Sequence, residues 1–299
     1  MSPTLRELLP RLRRALRKQE VQRVAQALPV PKASVAAVFR WREAEQQTLE
    51  VLFIRRSINE RDVWSGQVAF PGGKRQKKGG DATDANWETS LETAQRETME
   101  EIGLDLTEPH VEWIGSLPAI QTHLRTFWVG TEIFLINDQA ESRPFVPVIQ
   151  DEEIADVFWV DVQELFNPIR YQSLVWPTED MVPKLARYPR VMAFVRATLG
   201  NLLFGSIYLP RPYLAPPDED PSRRHRHDFI LWGLTLRMIA DMFQHAGCPL
   251  PIKDGSPRFE SRRLGDVVLS LYRRPEVALK RGLIAAGLCA AVGGIWSRL

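Results

Sequence analysis

The sequence predicts an α+β fold, a mixed sheet between helices with added C-terminal helices and a hydrophobic tail, and three observations lead there. Two apolar runs, residues 34–41 and 49–54, flank a polar turn and read as a β-hairpin. One amphipathic helix follows at about residues 87–102, with Gly103 as its C-terminal stop. Strands then resume at 111–117, 127–136 and 155–160. Strands, one helix and strands again is the α+β order, built on a mixed sheet.

Between the hairpin and the helix, a short strand at 67–70 leads into Pro71-Gly72-Gly73 and a loop rich in lysine, glycine and aspartate. After the last of these strands, residues 167–246 read as mainly helical, with one strand at 204–209 and a strong apolar helix over 229–243. Residues 216–227 read as a solvated loop. The expected organisation is an N-terminal helix over 1–32, a core domain over 33–166, a helical extension packed on it over 167–247, a linker over 248–282 and a hydrophobic tail over 283–299.

A chain of 299 residues with 44% hydrophobic and 25% charged content has the composition of a soluble globular protein. Its net charge of +2 gives no electrostatic reason to expect a nucleic-acid partner. The two cysteines, Cys248 and Cys289, have no metal-type spacing and suggest free thiols in a reducing, intracellular compartment.

Each end carries a separate signal. Leu5, Leu8, Leu9, Leu12 and Leu16 recur at helical spacing in a segment rich in arginine. That pattern is open to three readings: a mitochondrial presequence, a membrane-surface helix, or a helix docked on the domain. At the other end, the fourteen residues 283–296 carry no charge. As a helix they span roughly 21 Å, shorter than the hydrocarbon core of a bilayer. The tail is read as a membrane anchor or as a buried terminal helix. Ser297-Arg298-Leu299 is similar to the Ser-Lys-Leu peroxisomal address.

The helix itself poses the chemical question. Glu97, Glu100 and Glu101 crowd its last turn just before Gly103. On a helical wheel they share an arc of about 100°, beside an apolar arc of Leu91, Ala94, Thr98, Met99 and Ile102. Glu97 and Glu101 repel at i,i+4 by about 0.2–0.5 kcal/mol. All three sit at the negative end of the helix dipole, a further penalty of about 0.3–1 kcal/mol each at exposed sites. A hard divalent cation reverses the sign of these terms, and carboxylate oxygens suit Mg2+ or Mn2+ completed by substrate phosphates.

The surrounding pattern resembles the Nudix hydrolases, whose box reads G-x5-E-x7-R-E-U-x-E-E-x-G-U with U a bulky apolar residue. Glu88, Arg96-Glu97, Glu100-Glu101, Gly103 and Leu104 stand in register with it. The resemblance implies a Nudix-type mixed sheet. It makes Glu97, Glu100 and Glu101 metal ligands for Mg2+ or Mn2+, with Glu100 and Glu101 also catalytic. Glu88, Arg96 and Gly103 become structural, and the Gly72 carbonyl an extra ligand. Two departures stand out. Fourteen residues separate Gly73 from Glu88 where the family has five, and Thr98 replaces the usual aliphatic residue. The lengthened loop carries Lys74, Arg75, Lys77 and Lys78, read either as a solvated tip or as contacts for substrate phosphates.

Residues 52–73 are similar to a segment of the coenzyme A diphosphatase branch, LLTxRS-x3-R-x3-G-x3-FPGG. Leu52, Arg56, Ser57, Arg61, Gly66 and Phe70-Pro71-Gly72-Gly73 match, with four residues rather than three between Arg61 and Gly66. Leu231–Thr235 is a second echo. The resemblance implies a small-molecule diphosphate substrate, coenzyme A or acyl-coenzyme A, cleaved to 3′,5′-ADP and 4′-phosphopantetheine. Arg56 and Arg61 suit bidentate pairing with phosphate, Arg55 competes with Arg56 for that task, and Gly72 and Gly73 line the substrate site. A general base is expected at Glu101 or among Asp151, Glu152 and Glu153, with Glu153 preferred outside the box. The alternatives are hydrolysis of nucleoside diphosphate derivatives or dinucleoside polyphosphates, and a Nudix-fold binding module without activity.

Overall fold

In the computed structural model, the described residues are 5–23, 30–42, 48–59, 65–79, 86–122, 128–137, 145–177, 188–210, 229–252 and 258–261. Arg61, His123, the 216–227 loop and the whole C-terminal tail, with its anchor and address readings, lie outside them.

Among the described residues seven strands form one mixed sheet. β1 (Ala33–Trp41) lies at its centre, with β6 (Trp128–Ile136) parallel to it on one side. On the other side β1 is antiparallel to β2 (Leu49–Arg56) through residues 39–41 and to β4 (Gly72–Lys74) through residues 33–35. β5 (Val111–Gln121) closes one edge against β6; β3 (Val68–Ala69) and β7 (Ile154–Asp161) pair with β2. The expected strands are all present, and β5 runs four residues beyond the 117 expected.

Alternation along the strands divides the side chains between two cores. Ala36, Val38, Leu52, Ile54, Phe134 and Ile136 face α2 (Ser90–Ile102) and pack with its Ala94 and Ile102. Ala37, Phe39, Val51, Phe53, Val129 and Ile133 face the opposite side. There they meet α1 (Leu5–Arg23), whose Leu8, Leu9, Leu12 and Leu16 are buried in the same core.

The extension differs from its expectation. Among the described residues of 167–247 three strands stand where one was expected: β8 (Tyr171–Trp176), β9 (Leu202–Tyr208) and β10 (Ile230–Trp232) lie in a second antiparallel sheet. The helices are α3 (Pro189–Leu199) and α4 (Gly233–His245). The stretch expected to begin a helix at Phe229 is strand up to Trp232, because its three strand residues are buried on every side and pair with β9. Gly233 then turns the chain with φ +62°. Ile207, Leu209, Phe229, Leu231 and Phe243 share the core with Phe39, Phe53 and Phe158. The expected linker starts too early, since Cys248 and Leu250 are buried, and Arg258–Phe259 forms β11 beside β9. No helix among the described residues is long and apolar enough to cross a membrane.

Leu12 is fully buried between α1 and the domain. Leu12→Ala is expected to destabilise the protein by about 3 kcal/mol, read by denaturant unfolding; a helix resting loosely on the surface would leave the midpoint unchanged.

Candidate active site

The site is built on α2 and the strand running beside it. Thr89 caps the helix: its hydroxyl accepts from Glu92 N at 3.2 Å while the Glu92 carboxylate accepts from Thr89 N at 2.8 Å. This reciprocal pair is a capping box, and it starts the helix three residues later than the apolar period suggests. Gly103 ends the helix in the left-handed region with φ +72°. Val148 N and Gln150 N then bond the carbonyls of Ile102 and Glu101, which carries the 151–153 turn to the end of the acid-bearing face.

The fourteen residues between Gly73 and Glu88 close back on themselves. Lys77 bridges to Trp87, Lys78 N donates to Asn86 O, and Glu88 N donates to Gln76 O, so residues 76–78 and 86–88 pair as the two arms of a hairpin. The pairing of the two arms brings Glu88 beside Gln76, whose N–H donates to the Glu88 carboxylate at 2.9 Å. The basic side chains support this hairpin. Arg75 Nε donates to the Glu88 carbonyl, Lys77 lies over the Trp87 ring, and Lys78 pairs with Glu92 at 2.6 Å.

Arg96 ties the parts together. Its guanidinium donates to Glu88 through Nε at 2.6 Å and Nη2 at 3.0 Å, to Glu100 at 2.7 Å, to Glu97 at 2.9 Å and to the Lys74 carbonyl at 3.0 Å. Burial pushes the Glu88 carboxyl up. Bonds from Arg96, Gln76 N and Thr93, with the Arg96 charge, outweigh that and hold it below the usual range.

The acids meet β4. Glu101 is buried at 4% exposure and accepts from Gly72 N at 2.8 Å. A Cβ on Gly72 would strike the Ser34 carbonyl, so that glycine is sterically required; one on Gly73 would force the Glu97 carboxyl to swing aside. Burial, the Glu97 charge and the Glu153 charge push Glu101 up to about 8 against the Gly72 bond and the Arg56 charge. Burial raises Glu97 as well, with the Glu100 and Glu153 charges adding and Arg96 opposing. The fold thus brings Glu97, Glu101, Glu153 and Arg56 within mutual electrostatic reach. Arg55 turns the other way, over the Phe229 ring at 5.1 Å, and leaves the acid side to Arg56.

One expectation on α2 changes. Met99 is 51% exposed, outside the apolar arc assigned to it, because at 200° from Glu97 it points past the sheet. Thr98 is buried where an aliphatic residue was expected, and its hydroxyl is satisfied by the Ala94 carbonyl at 2.7 Å.

A divalent cation fits the donor set. Burial first, and the charges of neighbouring carboxylates second, raise the half-buried Glu97 and the buried Glu101, and a cation between them would relieve both. Among the described residues no three acidic, histidine or cysteine side chains close into a finished cluster. Glu100 is drawn to Arg96 and Glu101 to Gly72 N, so side-chain rotation is needed to bring them onto one ion. The capping box and the hairpin were missed from the sequence. Thr89-x-x-Glu92 was the available signal for the first; the second shows only in the pairing.

The NUDIX domain family model matches residues 31–184. An uncharacterized protein of Schizosaccharomyces pombe is 26% identical over 242 residues, which is 74% of this chain and 68% of that protein. Nudix hydrolase 3 of Caenorhabditis elegans is 35% identical over 117 residues, 39% of this chain and only 43% of that protein. Among solved structures, a MutT/nudix family protein from Enterococcus faecalis is 20% identical with a TM-score of 0.30, covering 53% of this chain and 54% of that one.

Glu88→Gln is expected to cost about 3 kcal/mol near neutral pH by leaving Arg96 partly unpaired. Because the folded-state value of Glu88 is lowered from 4.5, its contribution is full above that pH and lost as pH falls through the lowered value. The gap between wild type and variant in thermal melts therefore narrows in acid. Glu101 has the opposite sign. In a chelator, wild-type stability falls as pH rises from 4.5 to about 8, and Glu101→Gln flattens that slope.

Proposed function

This chain belongs to the Nudix family and is a hydrolase acting on phosphorus-containing anhydrides, and we propose that its substrate is coenzyme A or an acyl-coenzyme A, cleaved to 3′,5′-ADP and (acyl-)4′-phosphopantetheine. The observation that supports the site is the convergence of Glu97, Glu101, Glu153 and Arg56 beside the Gly72–Gly73 backbone. The coenzyme A assignment rests on the resemblance of residues 52–73, whose arginine at position 56 faces the acids.

In this reading Glu97, Glu100 and Glu101 hold Mg2+ or Mn2+. Such an ion, when bound, offsets charge on phosphoryl oxygens and lowers the pKa of water. Water attacks one phosphorus of the X–P–P–Y linkage, and the bond from that phosphorus to the bridging oxygen breaks. Glu153, exposed on the turn beside Glu97 and Glu101, accepts the proton of the attacking water. Arg56 pairs with the phosphoryl oxygens and orients the linkage. Arg61 serves as a second clamp. Gly72 and Gly73 present no side chain, so the Glu97 and Glu101 carboxylates sit directly against the backbone beside the diphosphate.

Mass spectrometry of products from coenzyme A, acyl-coenzyme A, nucleoside diphosphate derivatives and dinucleoside polyphosphates, with Mg2+ or Mn2+, tests the reading. It predicts 3′,5′-ADP from coenzyme A, absent with Glu101→Gln. Cleavage of the nucleotides alone would overturn the substrate and keep the hydrolase. Glu153→Gln is expected to lower kcat by about 10²–10⁴-fold with little change in KM; an unchanged kcat removes Glu153 as the base.

A further inference from the structure

Two buried polar groups beside this site have no task in the mechanism above. Ser65 is fully buried at 0% exposure, and its Oγ has no hydrogen-bond partner among the described residues. The buried Nε2 of Gln67, two residues on, is in the same condition. An unmet buried donor costs about 1–3 kcal/mol, and in native structures such groups are characteristically satisfied by a ligand, an ion or an ordered water.

Their place in the sheet is well defined. Ser65 and Gln67 flank Gly66, which turns the chain into β3 with φ +73°. Arg56 N donates to the Gln67 carbonyl at 3.0 Å, one step beyond the pairs Arg55↔Val68 and Ile54↔Ala69. Residue 67 therefore lies opposite residue 56, and opposed residues of an antiparallel pair share a face. Val68 belongs to the core on the α1 side, while Ala69 packs on the α2 side. Alternation gives Gln67 the α2 side, together with Arg56, whose charge acts on Glu101.

The chemistry narrows the ligand. An amide nitrogen is a donor only and requires an acceptor. Glu97, Glu101 and Glu153 crowd this face, and a cation at position 67 would pair with them. A neutral amide does not, and stays available to a phosphoryl oxygen. We propose that Gln67 Nε2, with Ser65 Oγ beside it in the same turn, forms a second phosphoryl subsite that binds the non-bridging oxygens of the phosphoryl group not under attack. The subsite rests on the reading of the acid cluster as a diphosphate-hydrolase site and is independent of the coenzyme A assignment. It makes Gln67 a positioning group for any X–P–P–Y substrate.

The test uses methylenediphosphonate, a P–C–P diphosphate that is not hydrolysed, titrated calorimetrically into the full chain with Mg2+. Gln67→Met keeps the volume and removes the donor; Ser65→Ala removes the hydroxyl. Gln67→Met is expected to weaken binding about tenfold and Ser65→Ala about threefold. The melting temperature without probe is expected to hold or rise, because an unmet polar group has been removed. Unchanged affinity in both variants overturns the proposal, as does absence of binding by the wild-type chain. Affinity and melting temperature falling together also overturn it, since the groups would then support the fold. Coenzyme A left intact while Gln67→Met weakens the probe defeats the substrate assignment and leaves the subsite standing.

Discussion

The Arg96 guanidinium is the contact on which the site depends. One planar cation reaches Glu88 at the return of the hairpin, the Lys74 carbonyl on β4, and Glu97 and Glu100 on its own helix. Without it the helix would present three acids at its C-terminal end, where repulsion and the dipole both oppose them. With it, Glu88 is locked as an acceptor and the helix is fixed in register with β4. That register lets Glu101 meet Gly72 N and lets Glu97 occupy the space above Gly73.

The same contact explains how the site tolerates its lengthened loop. Nine extra residues could have displaced Glu88 from the helix it serves. The chain instead pairs the two flanks of the loop, and their last rung, Glu88 N to Gln76 O, lies beside the Arg96 contact. Three of the four basic residues in the loop take part in that hairpin or its flank, so their number reflects the turn's construction. Arg56, on β2, is a second cation whose charge reaches the acids.

Much of the central domain was legible in the sequence. The strand alternation around β1 and β6 and the fixed spacing from Glu88 to Gly103 are local patterns, and local patterns survive without tertiary information. The extension was less legible. Ile230–Trp232 is three residues long and buried at every position, and Tyr171–Trp176 is six residues long and half exposed, so neither is long enough for its periodicity to separate strand from helix. Met99 was misplaced because a wheel gives angles and not the width of the sheet a helix covers. The orphan groups at Ser65 and Gln67 could not be seen in a sequence at all, since hydrogen-bond satisfaction is a property of the folded neighbourhood.

The account turns on whether the α2 carboxylates take a divalent ion from Arg96. Titrating Mn2+ into the protein, with free Mn2+ read by electron paramagnetic resonance, measures this directly and needs no substrate. One ion bound by the wild-type chain, and its affinity reduced at least about tenfold in Glu97→Gln, is the result the account predicts. Equal Mn2+ binding by the two proteins would contradict it.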